Sequence, residues 1–282
     1  MSDDVVARLK KFIHRRSVDL GRLYVEWFGG EPLVALDTIC EIGSFIRSLS
    51  TKSTPLRVTS GMTTNGYALD VAMAERLMSF GVTSYQITLD GPPEYHDTVR
   101  QTREGKGSFA RIWNNLLALR DASLPISILL RIHMCHDNAS SLERFVMKVA
   151  TEFSFDKRFS LLFKPIADLG GASAHFKGIL PIDISDQLRE DLCKVAKGRI
   201  RVVRLRNYIC YATKANSFVI RPNGSIGKCT VALDDPLNTV GELDERGYVH
   251  FSQEKLRWWY RGLCSMVDSE MQCPYYAHTM RK

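Results

Sequence analysis

Two short runs hold the residues best suited to chemistry. Trp27 to Leu33 reads W-F-G-G-E-P-L, and Ile87 to Arg100 reads I-T-L-D-G-P-P-E-Y-H-D-T-V-R. Each is an apolar stretch ending in glycine beside an acid, a combination that lets backbone approach a small polar ligand closely. In the first run, Gly29 and Gly30 leave backbone groups free to face an amine or a carboxylate. Glu31 can accept from an amino group, and Pro32 stiffens the turn. Taken alone, G-G-E-P is equally a tight turn with no ligand. In the second run, Arg100 offers a planar, permanently charged fork suited to a carboxylate. Its plain structural alternative is a salt bridge with Glu94 or Asp97.

Thiols are the second chemical resource. The chain has seven cysteines, an odd number. Its start, Met1 to Phe12, reads as an amphipathic helix and not as a basic head with an apolar core, so no export signal is expected there. A cytoplasmic location and reduced or metal-bound thiols follow as expectations. Cys40 and Cys193 fall inside helical patterns and read as core residues. Cys210, Cys229, Cys264 and Cys273 all lie in the last quarter. His133, Cys135 and His136 could supply metal ligands, but no fourth ligand has suitable spacing, and a role at a strand end is expected instead. Gly170, Gly171 and His175 belong to a loop that either borders a substrate or is a plain crossover.

The elements that must position these groups alternate. Strands are expected to start near Leu23, Leu56, Ser84, Pro125, Phe159 and Ile200. Helices are expected over 3–12, 38–49, 69–80, 109–121, 140–151 and 184–196. Asn65-Gly66 marks a turn, and Gly81 suits a left-handed helix end. Such alternation implies βαβ units and a parallel sheet, so the α/β class is expected. In such sheets ligands bind beyond the carboxyl ends of the strands, where the glycine-and-acid runs fall. After Asn207 the rhythm breaks. Phe218 to Val231 reads as a β-hairpin turning at Asn223-Gly224, and Arg257 to Leu263 as a short aromatic-packed helix. A boundary is placed near residue 207.

Bulk properties narrow the function further. The hydrophobic fraction of 45% and charged fraction of 24% are ordinary for a globular chain. No apolar stretch reaches the roughly 20 residues that span a bilayer. The net charge is +7 at pH 7, which favours acidic partners by long-range attraction. The positive residues are scattered except over Ile200 to Asn207, where alternation points to a solvated strand face and not to nucleic-acid binding.

Two further runs complete an ordered series. Thr63-Thr64-Asn65-Gly66 follows the second strand, and Gly105-Lys106-Gly107-Ser108-Phe109 opens the helix after the third. With G-G-E-P and with Thr88-Leu89-Asp90-Gly91-Pro92, His96-Asp97 and Arg100, they resemble the radical S-adenosylmethionine (SAM) superfamily, in the branch with a C-terminal SPASM-type domain. Thr88 stands where serine is usual and keeps the hydroxyl. The resemblance implies that Gly29, Gly30 and Glu31 contact the methionine amine and carboxylate of SAM. It implies that Asn65, Thr88 and Arg100 serve its ribose and carboxylate side. It names no catalytic residue. It also implies a truncated barrel domain over 1–207 and a degenerate or truncated SPASM-like module over 208–282. There Cys210, Gly224 with Cys229, Cys264 and Cys273 match members of the set that ligates auxiliary [4Fe–4S] clusters. Val267 and Ala277 occupy two places where that set has cysteine, so four thiolates remain, enough for one auxiliary cluster.

The same resemblance exposes a gap. The superfamily binds its radical-generating cluster through C-x3-C-x2-C ahead of the first run, and no such motif is present in this sequence. The implied fold is therefore a partial (β/α)6 barrel missing its first strand and cluster loop. The implied function is a maturase that installs a radical-derived modification on a peptide or protein, with the chain expected to be a fragment or late-start form that cannot bind the radical cluster as given. The alternatives are a cluster-less, non-catalytic peptide-binding or scaffolding partner of an active enzyme, and a chain whose cluster cysteines come in trans from a separate polypeptide.

Overall fold

The computed structural model describes residues 1–50, 56–167, 178–205 and 208–279. The loop holding Gly170, Gly171 and His175, and Asn207 at the expected boundary, lie outside those residues.

Helix α1, Asp3–Ser17, follows the rules its sequence sets. Ser2 caps it by accepting from Val5 N–H, acids occupy its first turn and basic residues its last, and Val5, Val6 and Leu9 form its buried stripe. Six strands follow: β1 Arg22–Trp27, β2 Arg57–Thr64, β3 Val82–Leu89, β4 Ser127–Met134, β5 Phe159–Pro165 and β6 Arg201–Val202. They form one sheet in sequential order, every neighbour parallel. Helices α2 Leu36–Ser48, α3 Val71–Ser79, α4 Pro93–Val99, α5 Phe109–Asp121, α6 Ala139–Glu152 and α7 Ile182–Ala196 lie in the crossovers.

Alternation along each strand separates two faces. Met62, Tyr85, Ile87, Leu89, Ile128, Leu130, Ile132, Leu161 and Phe163 are buried in one core with residues of α3, α5, α6 and α7. Each such aliphatic side chain stabilises the fold by roughly 1.5–3 kcal/mol. The intervening residues are mostly polar: Tyr24, Glu26, Thr63, Ser84, Gln86, Thr88, Arg131, His133 and Lys164. Register pairs them across strands, as Thr63 with Gln86, Thr88 with Arg131 and His133 with Lys164. The sheet therefore has a helix-covered apolar face and a polar face.

A second, antiparallel sheet follows, built from β7 Val219–Ile220, β8 Ser225–Gly227, β9 Gly241–Leu243 and β10 Val249–Phe251 in the order β10-β9-β8-β7. Helices α8 Gln253–Ser265, α9 Asp268–Gln272 and α10 Pro274–Thr279 complete the described chain. The hairpin expected at Asn223-Gly224 is present, with Gly224 at φ +86° and Arg221 N–H donating to Ser225 O. Its second strand stops at Gly227 instead of running to Val231. The fully buried Asn238 takes the next two amides, accepting from Lys228 N–H at 2.9 Å and Cys229 N–H at 2.8 Å, which removes them from the ladder. Strand β6 is likewise shorter than expected, pairing over two residues while Arg204 and Leu205 are exposed. Helix α4 and strands β9 and β10 had no signal of their own, being too short to establish a period.

A second core joins the two parts. Val6 and Leu9 of α1 and Ile42 and Ile46 of α2 pack with Ala212, Ile226, Val240, Leu243, Leu256 and Trp259. Trp259 is fully buried, and its indole N–H donates to Leu237 O at 3.0 Å. Trp259→Ala is expected to destabilise the protein by about 3–5 kcal/mol, read as a lower midpoint in urea unfolding. A change within experimental scatter would show that this core does not hold the parts together.

Candidate functional site at the carboxyl edge of the parallel sheet

Because every strand of the first sheet runs the same way, the loops after β1, β2, β3 and β4 leave from one edge. Glu31 ties the first two loops together. Its Oε1 accepts from the Thr64 hydroxyl at 2.7 Å and from Leu33 N–H at 3.1 Å, and its Oε2 accepts from Asn65 N–H at 2.7 Å. A carboxylate has about four acceptor sites, so Oε2 retains one for an incoming donor. Gly29 and Gly30 are exposed, and a Cβ built on either would meet nothing within 4 Å. The space beside them is open. Gly66 is required by the turn itself: its φ is +78°, and a Cβ there would lie 2.9 Å from Ile87 Cγ2. Asn65 Oδ1 accepts from Tyr67 N–H at 2.8 Å, which fixes the side chain and leaves its amide hydrogens available.

The next two loops are joined through Asp90. Its carboxylate is paired with Arg100 Nε, and His133 Nδ1 lies 2.8 Å from the other oxygen. Burial would push this carboxyl's pKa up. The hydrogen bond from His133 and the charge of Arg100 outweigh it and hold the group well below the ordinary carboxylate range. Neither Glu94 nor Asp97 is the partner of Arg100, because Asp97 accepts from Phe109 N–H at 2.8 Å and so caps α5. Gly107 makes that contact feasible, since a Cβ there would fall 2.3 Å from the Asp97 carboxyl carbon. His96 is fully buried and accepts from Asp90 N–H at Nδ1, which places its proton on Nε2 toward Ser108 Oγ. The H-D pair and the G-K-G-S-F run thus build the loop that carries Arg100. Asn138, also fully buried, closes the arrangement by donating to Asp90 O at 2.6 Å and His133 O at 2.9 Å and accepting from Cys135 N–H.

Thr88 sits one step into the polar face. Its Oγ1 accepts from Arg131 Nε at 3.0 Å and Nη2 at 2.8 Å, leaving its own proton free to donate. Farther along that face Tyr24 donates to Glu26, Thr63 donates to Glu26 Oε1 at 3.2 Å, and Gln86 Nε2 lies 3.4 Å from Thr63 Oγ1. Burial raises the Glu26 pKa above its ordinary value. Gly61 leaves room for this cluster, since a Cβ there would fall 2.5 Å from Glu26 Oε2 and 2.7 Å from Tyr24 Oη. Tyr24, Glu26, Arg131 and the role of His133 toward Asp90 were missed by sequence reasoning. The signal was present as period-two polar residues in otherwise apolar strands, and only the register shows that they meet. His133 and Cys135 do not form a pair, because Cys135 is buried with its Sγ 3.0 Å from Tyr95 Oη.

The structure places the four cysteines of the last quarter unequally. Burial first, and then the neighbouring Cys273 and Cys229, push the Cys210 thiol up to about 11, and burial with the nearby Cys273 also raises that of Cys229. Backbone amides point at the sulfurs, with Val231 N–H 3.3 Å from Cys229 Sγ and Tyr276 N–H 3.5 Å from Cys273 Sγ. Cys264 is exposed near the end of α8. Beside this group the fully buried Lys228 donates to Lys214 O and Ser217 O at 2.6 Å each, between the rings of Phe218 and Tyr260. Burial lowers its pKa to about 8.

Comparison with protein-family models matches residues 2–149 to the Radical SAM superfamily. The chain belongs to that superfamily. No curated protein matches the sequence. Among solved structures, native anSMEcpe with bound AdoMet and the Kp18Cys peptide is similar over 97% of this chain and 80% of its own, with TM-score 0.71 and 16% identity. The same protein with bound AdoMet and the Cp18Cys peptide gives TM-score 0.69 at 16% identity, with coverage of 97% and 80%. SuiB of Streptococcus suis gives TM-score 0.62 at 10% identity, covering 98% of this chain and 68% of its own. At these identities the likeness establishes the fold: a six-stranded parallel sheet with a small antiparallel sheet after it, as in radical SAM proteins.

Radical SAM membership implies SAM and [4Fe–4S] cofactors, and the two fare differently here. The open space at Gly29 and Gly30, the spare acceptor of Glu31 and the free protons of Asn65 and Thr88 fit a polar ligand such as SAM. For a cluster the described residues offer no assembled site: C-x3-C-x2-C is not among these 282 residues, and among the described residues no group of three His, Cys, Asp or Glu, the late cysteines included, is arranged to hold a metal ion.

Asp90 gives this edge a pH signature. With its folded pKa depressed, its contribution to stability is present above the unfolded carboxylate value near 4 and is lost as pH falls below it. The urea midpoint of the native protein is expected to drop as pH is lowered from about 5 to about 2. Asp90→Asn should be less stable at neutral pH and flatter over that range. Superimposable profiles would mean that the pairs with Arg100 and His133 contribute nothing.

Proposed function

We propose that the chain is the SAM-binding part of a radical SAM/SPASM maturase that modifies a peptide or protein in the cytoplasm. The single observation that carries this reading is the bridge from Glu31 to Thr64 and Asn65, beside two open glycines, at the edge where Thr88 and Arg100 also stand. On this reading Gly29, Gly30 and Glu31 receive the amine and carboxylate of SAM's methionine. Asn65 and Thr88 donate to the ribose side, and the Nη groups of Arg100, oriented by Asp90, face the carboxylate. Bound SAM would supply a 5′-deoxyadenosyl radical if an iron–sulfur cluster held by residues outside these 282 delivered the electron that cleaves it. The residues of this chain bind and orient it; the polar strand face with Tyr24, Glu26 and Arg131 is the surface over which a peptide side chain would be presented. By resemblance Cys210, Cys229, Cys264 and Cys273 are the candidates for one auxiliary cluster, in a module spanning 208–282 after a partial barrel over 1–207; the structure does not hold three of them in metal-binding geometry, so cluster assembly would have to draw them together. The thiolates needed for reductive cleavage are not among these 282 residues.

The alternative reading is a cluster-less peptide-binding partner of an active enzyme. The two separate on SAM binding. Under anaerobic conditions the protein is expected to bind SAM in isothermal titration calorimetry. Gly30→Val should weaken binding at least about tenfold, or 1.4 kcal/mol, with an unchanged melting temperature because the added side chain meets only open space. Glu31→Ala should weaken it further while also lowering stability by about 1–3 kcal/mol through the unpaired Thr64 and Asn65 donors. Absence of SAM binding in the unmodified protein, with peptide binding retained, would establish the second reading.

A further inference from the structure

Strand β6 pairs only with β5, so it forms one edge of the parallel sheet among the described residues. Val203 N–H donates to Leu161 O at 2.8 Å. In a parallel ladder the backbone groups of successive residues point to alternate sides, which turns those of Val202 and Arg204 outward. Alongside this open edge lies a groove of about 450 Å³ between β6 and the C-terminal half of α7. Cys193, Ile200 and Val202 give it an apolar floor, and Lys194, Lys197 and Arg204 rim it. Leu192 to Arg204 holds five basic residues and no acid. Lys194 and Arg204 are paired with Asp191 and Glu190. Arg199 meets only the carbonyl of Val195, and no carboxylate among the described residues pairs with Lys197, Arg199 or Arg201. All three are exposed.

We infer that this edge is a docking site for an extended acidic segment of a peptide or protein, which adds beside β6 as a further strand. Its backbone pairs with the outward groups of Val202 and Arg204, its aliphatic side chains cover Ile200 and Val202, and its acids meet Lys197, Arg199 and Arg201. Basic residues on a sheet edge also serve to block unwanted pairing. Blocking, however, requires no apolar-floored groove and discriminates against neutral strands as much as acidic ones. Nucleic acid is the poorer match, since the groove offers no aromatic ring on which a base could stack. The inference rests on the reading above that the chain acts on a peptide, and it names where that peptide is held away from the SAM edge.

The test uses the full chain and a short fluorescein-labelled peptide of alternating Glu and Val, read by fluorescence anisotropy beside analogues with Lys or Gln in place of Glu. The acidic peptide is expected to bind, more weakly at high salt. The double substitution Lys197→Glu with Arg201→Glu should weaken it at least about tenfold, and Val202→Pro should weaken it by removing the outward N–H. Since the first pair is exposed, its circular dichroism should match the unmodified protein, so the result stands even if Val202→Pro fails to fold. Equal affinity for the Lys analogue, no binding at all, or equally tight binding of a single-stranded oligonucleotide lost with the same double substitution would overturn the inference. SAM titration of the same samples keeps the two readings apart: SAM binding without acidic-peptide binding rejects the docking edge alone, and the converse rejects the SAM site alone.

Discussion

A parallel sheet delivers the carboxyl end of every strand to the same side, and each loop that leaves there brings backbone amides that must be satisfied. In this protein buried or half-buried carboxylates and amides meet that demand across loops. Glu31 binds the loop after β2, Asp90 gathers Arg100 and His133, and Asn138 bonds both Asp90 and His133. Removing a buried charge from water is costly unless it is paired and hydrogen-bonded. Each of these groups is paired, and together they hold four loops in register at one edge. The openness beside Gly29 and Gly30 depends on that rigidity, because a ligand site on untethered loops would close or drift.

The one-sided covering of the sheet follows from the strand sequences. Apolar residues at alternate positions recruit α3, α5, α6 and α7 to one face, and the polar residues between them forbid a second helical layer. Gly61 marks where the polar face is most crowded, with Tyr24 and Glu26 of β1 and Ser84 of β3 converging on the space its missing side chain leaves.

Much of this was legible in the residues alone. The α/β alternation, the turn glycines at 66, 81 and 224 and the glycine-and-acid runs at strand ends all reflect local demands that particular residue types meet. Partnerships were not legible. Thr88 and Arg131 are 43 residues apart and Glu31 and Asn65 are 34 apart, so only strand register brings them together. His96 and Asp97 were legible only as part of a family-like run, without a role; in the structure they shape the loop that presents Arg100. The three-residue strands β9 and β10 fall below the length at which alternation can be recognised, and the early end of β8 was set by a side chain, Asn238, eleven residues beyond Gly227.

The shared second core carries a consequence for how the chain is made. Val6 and Leu9 bury their side chains against Ile226, Leu243 and Trp259, and Arg8 reaches Leu243 O across 235 positions of sequence. A growing polypeptide emerges from its N-terminal side. The first helix must therefore wait with its apolar stripe covered on the α2 side alone until the closing tryptophan-bearing helix has been synthesised, and whatever shelters the rest of that stripe in the interval is a requirement imposed by the fold itself.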